Sequence, residues 1–196
     1  MSCNRRQNKQ LTKAIALKAH AESEGASRCM VIIGIDPGLR ATGYAVIRSS
    51  GIKFRLLEAG VIVSSPKKPL SERLKELFEG MSEVVEEFSP DMAALEHVYC
   101  RGRFERSALL LGHVRGAVCA AMAFYGLPIA EYTFTNVKRT VVGKGNATKR
   151  QLHEALRRLI GIADVEAEGL CEHAMDALAL AVCHALSQPI KSWLCR

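Results

Sequence analysis

Hydrophobic and polar positions switch between two periods along this chain, and the switches outline its elements. From Met30, VIIGID is a short continuous apolar run ending in Asp-Pro-Gly, which reads as a buried strand followed by a turn. TGYAVIRSS and FRLLEAGVIVS read as a second and third strand, with Ser-Ser-Gly as the turn between them, so this opening triplet is expected to be antiparallel. LSERLKELFEGMSEVVEEF then moves to the helical period: Leu74, Leu77, Phe78, Met81, Val84, Val85 and Phe88 share one face, Ser71 is the candidate cap, and Ser89-Pro90 ends the helix. MAALEHVY reads as a fourth strand, SALLLGHVRGAVCAAMAFYG as a long helix rich in small residues, and PIAEYTF as a fifth strand. VKRTVVGKGNATKRQ reads as a basic, glycine-punctuated connection, TKRQLHEALRRLIG as a helix and CEHAMDALALAVCHALS as the last helix.

The order β-β-β-α-β-α-β-α-α predicts an α/β fold, a mixed sheet flanked by helices, in one domain over residues 30–187. Residues 1–29 read as a flexible basic N-terminal extension, with Arg5, Arg6, Lys9, Lys13 and Lys18 ahead of any acid. An organelle-targeting peptide is the alternative there. Residues 188–196 read as a C-terminal tail.

Composition narrows the class. The chain has 196 residues, 48% of them hydrophobic, which suits one globular domain with a proper core. A formal charge of +7 and a pI near 9.2 favour a polyanionic partner, either nucleic acid or an anionic membrane surface. The seven cysteines (Cys3, Cys29, Cys100, Cys119, Cys171, Cys183 and Cys195) are odd in number and form no C-x-x-C pair, so neither a disulfide framework nor a zinc knuckle is indicated. Cys119 and Cys183 sit among alanines and valines as small hydrophobes, and a reducing, cytoplasmic setting is the simplest fit. No apolar run reaches the ~18–20 residues of a membrane span, and no membrane association is expected.

Three carboxylates stand where carboxylates are costly. Asp36 ends an apolar strand; turn chemistry alone accounts for an Asp-Pro-Gly, yet strand-end loops often carry sites. Glu96 lies within MAALEHVY, an apolar context in which glutamate is disfavoured. Asp176 interrupts the apolar helix AMDALALAV three residues after His173, on neighbouring parts of one face. Glu172 is explained by the helix dipole at an N-terminal turn, and Asp176, further in, less well. Acids from a first strand, a later strand and a late helix can converge, and such a cluster repels itself without cations. Hard oxygen ligands of this kind suit Mg²⁺ or Mn²⁺, and two such ions ~4 Å apart are able to drive phosphodiester hydrolysis.

These residues carry a resemblance. GIDPGLRATGYAVI, LEHVY, SALLLGHVRGAV, EYTFTNVKRTVVGKGNATKRQL and HAMDALALAVCHA, in that order between Met30 and Leu186, resemble the segments of the RuvC family of Holliday-junction resolvases. The resemblance implies an RNase H-like fold and a metal-dependent endodeoxyribonuclease acting as a homodimer on four-way DNA junctions. It implies Asp36, Glu96, His173 and Asp176 as catalytic, metal-binding residues, with His173 at a position where members carry Asp or His. Mg²⁺ is the implied cofactor, Mn²⁺ a substitute, with two ions per site. Tyr99 is implied as an aromatic stacking on an unpaired base, with sheet packing as its alternative, and Lys138 and Lys149 as phosphate contacts. The long helix with Leu109, Leu110, Val114, Val118 and Ala121 is the implied dimer element, Gly112, Gly116 and Ala117 permitting close approach. A RuvA–RuvB-type branch-migration complex is the implied partner. A different RNase H-like nuclease, a sugar-kinase-like ATPase and a catalytically inactive junction binder stay open as alternatives at this point.

Overall fold

In the computed structural model of the protein, residues 29–97, 105–161 and 169–188 are described. The elements run β1 (Met30–Asp36), β2 (Ala41–Ser50), β3 (Lys53–Val63), α1 (Leu70–Phe88), β4 (Met92–Glu96), α2 (Glu105–Phe124), β5 (Ile129–Tyr132), α3 (Phe134–Val142), α4 (Lys149–Ile160) and α5 (Glu172–Ser187). The strands form one five-stranded sheet in the order β3-β2-β1-β4-β5. The opening triplet is antiparallel, as its tight turns require, whereas β4 and β5 join in parallel after helical crossovers.

The period-two alternation of each strand divides the core into two layers. Ile33, Ile35, Tyr44, Val46, Ala93 and Leu95 face α1 and α2. Ile32, Ala45, Ile47, Phe54, Leu56 and Ala94 face α3, α4 and α5. Every residue of α5 from Ala174 to Ala185 is buried, so this helix lies directly on the sheet with almost no solvent face. Such close seating needs strand positions without side chains. A Cβ at Gly34 would stand 1.9 Å from the Ala177 carbonyl oxygen, and one at Gly43 would stand 2.1 Å from that of His173.

Several expectations are corrected. VKRTVV belongs largely to a helix, α3, and not to a connection: Thr133 caps it by accepting from the Asn136 N–H at 3.2 Å, Val137 and Val141 turn into the core, and Gly143 ends it in the left-handed region. That helix takes over Phe134, so β5 stops at Tyr132. β4 stops at Glu96. Ser71 lies inside the first turn of α1, which Pro69 precedes without a side-chain cap. Arg106–Phe124 is, by length and composition, long and apolar enough to cross a membrane, although His113 and Arg115 interrupt its apolar run. One side of that helix is built into the core through Val114, Val118, Ala121 and Met122.

Candidate functional site

Strand alternation and register bring the two strand-borne acids together. Gly34 and Ala94 are register partners on adjacent parallel strands and face α5. Two residues further along each strand, on the same face, come Asp36 and Glu96. Each carboxyl group lies close enough to shift the titration of the other. β4 is flanked by β1 and β5, so an exposed edge strand does not account for Glu96.

Helix α5 supplies the other side. Its first turn rests on Gly43, the register partner of Asp36. That seating puts His173 Nδ1 2.7 Å from Asp36 Oδ2. Asp176, one turn on, is 6% exposed and Asp36 is 8% exposed. The four residues Asp36, Glu96, His173 and Asp176 therefore form one neighbourhood, with the charge of Asp176 felt by both other acids.

Burial governs their electrostatics. It pushes the Asp36 carboxyl above the ordinary range, opposed by the hydrogen bond and charge of His173 and reinforced by the charge of Asp176. Burial, then the charge of Asp36 and the hydrogen bond with it, push Glu96 up to about 7. The cluster is thus a set of carboxylates held close enough to resist ionising together.

A lysine sits among them. Lys149, the first residue of α4, is held beside α5 after the Thr148–Gln151 capping box fixes the helix start. Its Nζ lies 2.8 Å from Asp176 Oδ2 and also pairs with Glu172. Burial lowers the Lys149 pKa, and hydrogen bonds to Asp176 and Glu172 more than offset this, leaving it raised. Glu172 is well exposed and spends its charge on Lys149. Lys138 lies half-buried on α3 and forms no ion pair among the described residues. Tyr99 lies outside the described residues.

The sequence reading missed two residues here. His153, one turn into α4, has Nε2 3.5 Å from Asp176 Oδ1, and neither buried atom makes a hydrogen bond. Arg115 of α2 donates to the main-chain carbonyl of Glu96. Beside the cluster, between α4 and the start of α5, runs a groove of about 520 Å³. Lys149, Arg150, His153 and Arg157 line it, with Glu154 and Glu172 opposed. It offers a phosphate backbone a predominantly basic wall next to the acids.

The donor set can be tested against a cation. Among the described residues no group of three acid, histidine or cysteine side chains forms a ready-made cage. Yet buried Asp176 Oδ1 lacks a hydrogen bond, Asp36 raises the resistance of Glu96 to ionising, and Lys149 is the counter-charge of Asp176. Three neighbouring carboxylates with an imidazole beside them are a donor set short of positive charge, whose oxygen chemistry fits a hard divalent cation.

A mixed sheet of this order, with acids at adjoining ends of its two central parallel strands and on the helix laid across them, defines an RNase H-like nuclease. The comparisons with known proteins narrow that class. The family model for crossover junction endodeoxyribonuclease RuvC matches residues 32–184. The enzyme of that name from Citrifermentans bemidjiense is 40% identical over 163 residues, 83% of this chain and 96% of that one. Its namesake from Burkholderia cenocepacia is 44% identical over 156 residues, 80% and 83% of the two chains. The solved structure of T. thermophilus RuvC in complex with a Holliday junction substrate superposes with a TM-score of 0.75 at 32% identity, covering 80% of this chain and 93% of that one. The chain belongs to the RuvC family of crossover junction endodeoxyribonucleases, a family of metal-dependent nucleases.

Proposed function

We propose that the protein resolves four-way DNA junctions by paired, symmetric phosphodiester hydrolysis, in the service of recombination and repair. The observation that carries this is the meeting of Asp36, Glu96, His173 and Asp176 beside a basic groove, on the scaffold of this family. We assign these four residues to the cation site, with Mg²⁺ as the ion, Mn²⁺ as a substitute and two ions in the working site. A divalent cation held by these residues would supply the Lewis acidity needed to activate water and stabilise the leaving oxygen.

The chain's own contributions follow from the geometry. Asp36 and Glu96 supply negative charge on rigid strand ends, and His173, hydrogen-bonded to Asp36, fixes one oxygen of that carboxylate in place. Lys149 balances the charge of Asp176 and lines the basic groove, where it would meet a backbone phosphate. Lys138 and Tyr99 are assigned to DNA as well, the first to a phosphate and the second to an unpaired base.

The working unit we propose is a homodimer through α2. Val114, Val118 and Ala121 form the face of α2 that is buried within one subunit. The face left open carries Leu109, which is 64% exposed, together with Gly112, Gly116 and Ala120, and a Cβ at either glycine would meet nothing within 4 Å. Small residues at helical spacing allow two such helices to approach closely, and two-fold symmetry presents two sites to a junction that is itself nearly two-fold. A RuvA–RuvB-type branch-migration complex is the partner and the cytoplasm the setting that go with this reading.

Cleavage of a synthetic four-way junction, against matched linear duplex and RNA–DNA hybrid, tests the proposal. Paired symmetric nicks on the junction alone, lost with chelator, are expected; cutting of the hybrid or the linear duplex instead would move the protein to another nuclease activity.

Cation binding is expected to be coupled to Glu96. Below about pH 7 this carboxyl keeps its proton, which a hard cation must displace. Apparent Mn²⁺ affinity, measured by calorimetry on DNA-free protein, should therefore rise with pH up to about 7 and level off above it. The linked stability has the opposite trend: a carboxyl raised on folding stabilises the folded chain below its ordinary value, and that contribution fades as pH climbs through about 7. A Mn²⁺ affinity that does not vary across this range would remove Glu96 from the ligand set.

A further inference from the structure

A carboxylate at the end of a strand has lost the sheet hydrogen bonds that would hold the residues after it. Glu96 is the last residue of β4, yet the peptide that follows it is held at both of its polar groups. The His97 N–H donates to the Tyr132 carbonyl at 2.8 Å. On the other side, Nη1 of Arg115 donates to the Glu96 carbonyl. The same guanidinium uses Nη2 to donate to Glu131 Oε1 at 2.7 Å, and Glu131 Oε2 lies 2.6 Å from His97 Nδ1. The contacts close a ring: Arg115 to Glu131, Glu131 to His97, and His97 through the peptide back to the Glu96 carbonyl that Arg115 holds.

Three elements meet in this ring: α2 through Arg115, β5 through Glu131, and the end of β4. The Arg115 side chain is 18% exposed. Its planar fork bridges a carbonyl and a carboxylate at once, a geometry that a lysine's single nitrogen cannot reproduce. With both arms engaged inside the protein, this arginine is committed to the main chain beside Glu96 and not to a DNA phosphate.

We propose that Arg115, anchored by Glu131, is a positioning residue for Glu96: it clamps the Glu96–His97 peptide and so sets where the Glu96 carboxylate stands opposite Asp36. This rests on the reading of Glu96 as a cation ligand given above. Ligand-supporting contacts of this kind typically govern metal affinity and rate by about 10–100-fold.

The test uses the full chain and the variants Arg115→Ala, Arg115→Lys, Glu131→Gln and the double Arg115→Ala/Glu131→Gln. Three quantities are measured: Mn²⁺ affinity by calorimetry without DNA, single-turnover junction cleavage in saturating Mg²⁺, and junction affinity in chelator. Arg115→Ala is expected to weaken Mn²⁺ binding and slow cleavage by about 10-fold or more each, with junction affinity in chelator kept within about twofold. Arg115→Lys should recover only part of the loss. Glu131→Gln should shift both readouts the same way by less, and the double variant should be no worse than Arg115→Ala, because the two residues form one clamp.

Unchanged Mn²⁺ affinity in Arg115→Ala would overturn the proposal. So would full activity in Arg115→Lys, which would reduce the role to charge alone, or a parallel loss of junction affinity, which would make Arg115 a DNA contact. If Arg115→Ala does not fold, the milder Arg115→Lys and Glu131→Gln decide, and wild-type Mn²⁺ affinity in both overturns it. Failure of the wild-type chain to cut the junction would strike the functional reading instead, leaving the Mn²⁺ titrations to judge Arg115 separately.

Discussion

Asp36→Asn is expected to lower single-turnover junction cleavage by about 10³-fold or more, the scale on which removal of a key transition-state charge stabiliser registers. The substitution is nearly isosteric, and the amide oxygen can still accept from His173 Nδ1, which stands 2.7 Å from the carboxylate it replaces. What disappears is one full negative charge in a buried cluster that needs all of its charge to hold a cation. Junction affinity in chelator should be kept or slightly improved, since a charge that repels phosphate has gone. The fold provides an independent check. Burial pushes the Asp36 carboxyl up, so its ionised form is a burden on the metal-free protein at neutral pH and above. The variant should therefore melt at a higher temperature than the wild type in chelator at alkaline pH. Retained cleavage would remove Asp36 from the site, and a lower melting temperature would place the lost activity in the fold and not in the chemistry.

The second large effect is expected at Gly34. A methyl group there would stand 1.9 Å from the Ala177 carbonyl oxygen and 2.8 Å from the Ala181 nitrogen, both of them helix backbone. No side chain can swing aside to make room, so Gly34→Ala has to lift α5 off β1. Overpacking a core typically costs about 1–3 kcal/mol and occasionally more, and a backbone-to-backbone clash belongs at or above the upper end. For a domain of this size each kcal/mol is worth about 2–4 °C in melting temperature, so a fall of roughly 10 °C or more is expected. Asp176 and His173 ride on α5, so residual folded protein should also cut poorly at temperatures well below its melting point. Calorimetric or spectroscopic melting in chelator measures the first effect; a shift within the noise would mean that α5 is not seated on the strand in this way.

The strands and most helices were legible because their apolar periods are clean and their turns carry Gly, Pro and Ser. The helix α3 was not, because PIAEYTF carries its apolar character through Phe134 and the lysines and glycines beyond it draw attention to charge. The signal was present in Thr133 as a cap and in Phe134, Val137 and Val141 at helical spacing. Asp36, Glu96 and Asp176 stood out as polar groups set against apolar neighbours, an argument about cost that needs no structure, whereas His173 was singled out by its spacing to Asp176 and by the family resemblance. Arg115 and His153 gave no such signal. An arginine on a helix rich in small residues and a histidine among basic residues are ordinary until the fold shows that one reaches the Glu96 carbonyl and the other faces Asp176. Helix α2 posed a different problem: it is apolar on the side that enters the core and small on the side that does not, so periodicity alone could not separate the two.

The contact between His173 and Asp36 joins residues 137 positions apart in the chain. During synthesis, β1 and β4 leave the ribosome with two of the acids long before α5 follows with the third. Until Cys171 and the helix after it have emerged and docked on the glycines of β1 and β2, the neighbourhood of Asp36 has no opposite wall. A chain released early at a stalled ribosome would therefore carry half a centre and no means of breaking DNA. The helix that carries His173 and Asp176 is thus the piece that completes the centre.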